Sequence, residues 1–108
     1  MKNDRYADRL WGGKLEATWF DAASGRVELV VSTSSGDEIN RFRVEADSLR
    51  EFRFETDGGG RPWFYAEVTS AFVEEVADGL VRLTLVLWSE DHEMVITAKS
   101  IEINKMTT

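Results

Sequence analysis

The sequence has no cysteine, one histidine, one proline and no apolar run near the ~20 residues a membrane helix needs. Each shortage removes a class of function. Without cysteine there is no disulfide framework and no thiol nucleophile, and a cytoplasmic location is the expectation. With His92 as the single histidine, a zinc site would need carboxylates for its remaining ligands, so no metal and no cofactor are expected. The calcium-loop pattern D-x-[DN]-x-[DN]-G is absent. Met1 to Leu10 is polar and charged, without the apolar centre of a signal peptide.

Basic residues are also scarce. Thirteen Lys and Arg stand against 20 Asp and Glu, for a net charge of −7. The deficit is uneven: residues 1–61 hold 10 basic and 12 acidic groups (net −2), residues 62–108 hold 3 and 8 (net −5). Nucleic acids and anionic membranes require basic footprints, so neither is an expected partner.

What is present is a core. Of 108 residues, 43% are hydrophobic, which excludes disorder and fits one β-rich domain over residues 1–108. The longest apolar run, Leu80 to Trp88 (LVRLTLVLW), reads as the central strand of a meander flanked by strands over Phe64–Ala77 and Glu93–Asn104. A two-residue turn at Asp78-Gly79, where both residues tolerate positive φ, places Val76 opposite Val81, Glu75 opposite Arg82 and Phe72 opposite Leu85. A turn at Glu90-Asp91 places Leu87 opposite Met94, Leu85 opposite Ile96 and Leu83 opposite Ala98. Both turns put apolar residues on one face, where Leu85 is expected to be deeply buried. Glu74 falls on that face unexplained. Ile101 and Ile103 are out of phase with Met94, Ile96 and Ala98, which predicts a bulge near Lys99-Ser100. The second face also carries apolar residues: Ala71, Val73, Val86, Trp88 and Val95. Either the rest of the chain covers it, or Val86, Trp88 and Val95 form a partner-binding surface.

Before the meander, Tyr6, Leu10 and Trp11 are spaced for a short N-terminal helical turn that Gly12-Gly13 ends. Strands are expected over Lys14–Phe20, Arg26–Ser34, Glu38–Glu45 and Leu49–Glu55. Asp57-Gly58-Gly59-Gly60-Arg61-Pro62 reads as a flexible turn. About seven short strands make the expected fold all-β: an antiparallel β-sandwich or flattened barrel, with a single twisted sheet and one short helix as the alternative.

No stretch carries a catalytic motif, and a binding protein is expected rather than an enzyme. His92, inside Ser89-Glu90-Asp91-His92-Glu93, reads as a surface histidine in a hairpin loop. The Asp57–Gly60 loop lacks the Lys-Ser/Thr partner of a phosphate cradle. Twenty acidic residues single out no hydrolytic pair. The unusual feature is four tryptophans. Trp19 and Trp88 lie in strands and are expected in the core. Trp11 and Trp63 are the expected exposed pair and candidate ligand-binding residues.

Three segments carry a resemblance: L-x-x-x-W-F-D-x-x-x-G-R-V-E-L-V-V from Leu15, F-R-V-x-x-x-x-L-x-x-F-R-F from Phe42, and M-V-I-T-A-K-S-I-E-I from Met94. This order of strands resembles small bacterial β-rich proteins, some similar to immunity proteins that neutralise a toxin. The resemblance implies a binding protein and transfers no site residues. The expected function is therefore protein–protein interaction, with another protein or as a homodimer. Carbohydrate or small-ligand binding by exposed tryptophans is the alternative.

Overall fold

The computed structural model describes residues 4–56, 66–88 and 92–106, with side chains from Ala7 onward in the first span. Among the described residues a short helix, α1 (Asp4–Arg9), precedes six antiparallel strands: β1 (Lys14–Asp21), β2 (Arg26–Ser35), β3 (Glu38–Glu55), β4 (Ala66–Val76), β5 (Leu80–Leu87) and β6 (His92–Lys105). The fold is all-β. The strands form one sheet in the order β1-β2-β3-β6-β5-β4, and its two edges meet to close a barrel.

The closing seam is short. Lys14 pairs with Glu67 and Leu15 with Ala66. The Gly12 amide donates to the Val68 carbonyl, and the Val68 amide donates to the Gly13 carbonyl. Gly13 is dictated by space: a Cβ there would lie 2.8 Å from the Ser32 carbonyl oxygen and 2.9 Å from that of Leu10. Just ahead of the seam, α1 packs on β4 and β6. Ala7 and Leu10 are buried with the barrel core.

β3 joins residues expected to form two strands. It stays continuous through Asp47 and Ser48 because β6 pairs with it along nearly its whole length, from Phe42↔Lys105 to Glu55↔Glu93. The register does not change between Ala46↔Ile101 and Leu49↔Ala98, so no residue is inserted near Lys99-Ser100. Both strands instead reverse phase together. Lys99 and Ser100 are exposed between buried Ala98 and Ile101, and Asp47 and Ser48 are exposed on β3. Ser48 makes the bend with φ 58°. The inserted residue lies one step later on β3, at Arg50, between Leu49↔Ala98 and Glu51↔Thr97.

β5 lies between β4 and β6, and Leu83, Leu85 and Leu87 are all fully buried. The β4–β5 register differs from the two-residue-turn expectation by one residue. Ala77 joins the turn Ala77–Gly79, and pairing ends at Val76↔Leu80. Glu74, not Glu75, therefore faces Arg82, and Glu75 faces Val81. A one-residue slip exchanges the faces of a strand. Phe72, expected inside, lies outside and is 46% exposed, while Ala71 is buried and Val73 packs against the core. The same slip takes Glu74 off the core face. A bulge between Val68↔Leu87 and Ser70↔Val86 reverses the phase again and returns Val68 to the core. The β5–β6 register differs by two residues, with Leu87↔His92, Leu85↔Met94 and Leu83↔Ile96. A two-residue difference leaves every side chain on its expected face.

Candidate interaction surface

The outer face of β3, β6, β5 and β4 is arranged in rows. Register places Arg53, Val95, Thr84 and Phe72 in one row and Glu51, Thr97, Arg82 and Glu74 in the next. Polar side chains link the second row. Arg82 Nε donates to Thr97 Oγ1 at 3.0 Å, and Thr97 Oγ1 donates to Glu51 Oε1 at 3.2 Å. Arg53 pairs with Glu55 at 2.6 Å and with Glu51 at 3.5 Å. Among the described residues no second sheet covers this face, yet Thr84, Val95 and Thr97 are buried.

The candidates Val86, Trp88 and Val95 fall into three environments. Val95 is 2% exposed and offers almost no contact area. Val86 is half-buried on the same face, beside Glu93. Trp88 leaves that face: its backbone is left-handed, φ 58°, and its indole packs against the core. Its amide donates to the Glu67 carbonyl at 2.8 Å. The indole meets the His92 ring edge to face, 5.0 Å between centroids.

His92, expected on the surface, is 1% exposed. It opens β6 opposite Leu87, so its side chain points inward. Its Nδ1 lies 2.6 Å from Thr56 Oγ1. The clue was its parity: 92, 94, 96 and 98 alternate as one buried set. Trp19, expected in the core, is 54% exposed. A bulge between Leu15↔Val31 and Ala17↔Val30 shifts the phase of β1, and Trp19 pairs on the outside with Glu28. Trp11 is 53% exposed, and its indole N–H is committed to the Ala71 carbonyl at 2.7 Å. Trp63 and the glycine-rich turn before it lie outside the described residues, as does the Glu90-Asp91 turn.

The open apolar surface lies elsewhere, at the inner face where β3 runs past its bend. Phe52 pairs with Ile96 and Phe54 with Met94, and those partners are buried core residues. β2, however, stops pairing with β3 at Ala46. Phe52 and Phe54 are left 36% and 37% exposed. Phe20, at the far end of β1, is 55% exposed and meets Phe52 edge to face at 6.2 Å. The sequence shows Phe52 and Phe54 alternating with Arg53, but not that the strand beside them ends early.

Two polar regions complete the surface. On the outside of β1–β3, a cavity of about 330 Å³ is lined by Lys14, Glu16, Ser32, Arg41 and neighbours. Glu16 accepts from Arg41 at 3.1 Å. A hydrogen bond from Ser32, with help from Arg41 and Lys14, holds the Glu16 carboxyl below its ordinary value of 4.5 despite partial burial. In the second region Glu28, Glu45 and Glu102 stand opposite one another on β2, β3 and β6. Arg26 relieves this like-charge row, at 2.6 Å from Glu45, 3.1 Å from Glu28 and 3.6 Å from Asp47. Among the described residues no group of three His, Cys, Asp or Glu is placed to hold a metal ion. No helix there is long and apolar enough to cross a membrane. Compared with family models, curated proteins and solved structures, the chain matches none.

Proposed function

We infer that this is a small acidic binding protein that works by protein–protein contact, in the cytoplasm. The observation that carries the reading is the aromatic pair Phe20 and Phe52, in edge-to-face contact and 55% and 36% exposed on a core-facing surface. Aromatic rings are the side chains that most often dominate interface energy, and such a patch on a small soluble domain calls for a cover. The strand-order resemblance to bacterial immunity-like proteins supports the same reading, and the cysteine-free composition suits an intracellular setting. A photo-crosslinking residue in place of Phe20 tests it in native lysate. Discrete protein adducts, lost when Phe52→Ser is added, are expected. Absence of any adduct, or adducts indifferent to Phe52, would overturn the reading.

A second reading, carbohydrate or small-ligand binding, is favoured by Trp11, whose indole is pinned through its N–H while half its area stays open. Trp11→Ala should then abolish binding on a glycan array that the wild type scores on; a wild type silent across the array would exclude this class of ligand.

A further inference from the structure

The cavity on the outside of β1–β3 brings both signs of charge into a small volume. Register sets Lys14, Ser32 and Arg41 side by side across three strands, and Ser34 beside Ile39 two residues further on. Side chains two apart on a strand share a face, so both rows border one hollow of about 330 Å³. That volume lies at the small end of the roughly 300–1,000 Å³ of ligand sites. Glu16 joins the lining from the bulge in β1. With two cations and one carboxylate, the hollow is locally positive on a chain of net charge −7.

The ionic groups hold bonding capacity beyond the contacts they make with each other. Glu16 takes one N–H of Arg41, that of Nε, at 3.1 Å. A guanidinium carries five N–H donors in a planar fork, which suits bidentate grip on a carboxylate. Glu16 has two oxygens with about four acceptor positions, and Arg41 and the Ser32 hydroxyl supply one hydrogen bond each. Ile39 forms an apolar part of the wall and, at 62%, is the most exposed large hydrophobic side chain among the described residues.

We propose that this cavity binds a small zwitterion, an α-amino acid with an apolar side chain. Its carboxylate meets the terminal N–H groups of Arg41 beside Lys14, its ammonium meets Glu16, and its side chain covers Ile39. A simple anion would meet the like charge of Glu16, and a simple cation those of Lys14 and Arg41. A ligand with both charges answers each wall with its opposite. The site uses neither the Phe20–Phe52 pair nor Trp11, so it stands or falls independently of both readings above.

Three probes with one apolar part separate the charges: L-leucine, 4-methylpentanoate, which lacks the ammonium, and 3-methylbutylamine, which lacks the carboxylate. In amide NMR, leucine should saturably shift the signals of Lys14, Ser32, Ser34 and Arg41. It should bind at least about tenfold tighter than either analogue, the worth of one hydrogen bond to a charged group. Glu16→Gln keeps the shape of the side chain and removes its charge. Leucine should then bind about tenfold more weakly and lose its advantage over 4-methylpentanoate. Ser34→Trp fills the hollow from an exposed position on β2 and should abolish the shifts, with the rest of the spectrum showing an intact fold. Leucine that shifts none of these amides overturns the site. Equal affinity for leucine and 4-methylpentanoate in wild type, or unchanged leucine affinity in Glu16→Gln, overturns the zwitterion. Shifts that persist in Ser34→Trp place binding outside the cavity and refute it. Should either variant not fold, the three-probe comparison on wild type decides alone.

Discussion

At the scale of single residues, burial and hydrogen bonding decide what each substitution does. Leu85 is 0% exposed in the middle of β5. Leu85→Ala should cost about 2–5 kcal/mol in chemical denaturation, through lost transfer energy and the cavity left behind. Thr56→Val should cost about 1–3 kcal/mol, because it removes the hydroxyl that meets buried His92 Nδ1. Glu16 gives a pH-dependent test. Its pKa is lowered in the fold, so its contribution to stability is present above the ordinary value of 4.5 and is lost as pH falls through the lower folded value. Ser32→Ala removes the largest cause of that shift. The Glu16 carboxyl should then titrate at higher pH in an NMR titration; an unchanged midpoint would assign the shift to Arg41 and Lys14 instead. His92 shows what was legible at this scale: its alternation with Met94 and Ile96 was in the sequence, but its place beside acidic loop residues argued for the surface.

At the scale of elements, strand positions were far more legible than strand registers. All six strands overlap stretches read as strands from alternation and turn residues, because half-buried strands write period two directly into the sequence. Register depends on loop length, which that pattern constrains only modulo two. The turn after β4 holds three residues, and the one-residue difference exchanged Phe72 with Val73 and Glu75 with Glu74. The displacement after β5 was two residues and moved no side chain across the sheet. Glu74 opposite Leu83 was the visible sign of error, since a carboxylate without a partner does not sit on a core face. The aromatic opening was not legible at all, because it arises where β2 ends beside a strand that continues. Gly13→Ala probes the closing element: two carbonyl oxygens lie within 3.0 Å of the new methyl, so the seam must shift. A loss of about 1–3 kcal/mol is expected in thermal or chemical denaturation, as for other overpacked sites.

At the scale of the molecule, the strand interfaces are unequal. β3 and β6 share the most extensive one, while β1 and β4 meet through a short seam. In native-state hydrogen exchange the seam amides of Lys14 and Leu15 should open at lower free energy than those in the middle of β6. Equal protection would mean the barrel opens only as a whole. The order of strands has a further consequence for biosynthesis. β6 is synthesised after the other five strands, yet it occupies the place between β3 and β5. Until β6 pairs, the edges of β3 and β5 that it occupies lack their partner strand. The step that joins them pairs residues as distant as Phe42 and Lys105, and such long loop closure is slow. The growing chain therefore passes through an interval in which both edges need shielding, and synonymous codons or chaperones that alter the arrival of β6 would change the yield of folded protein without changing any contact in it.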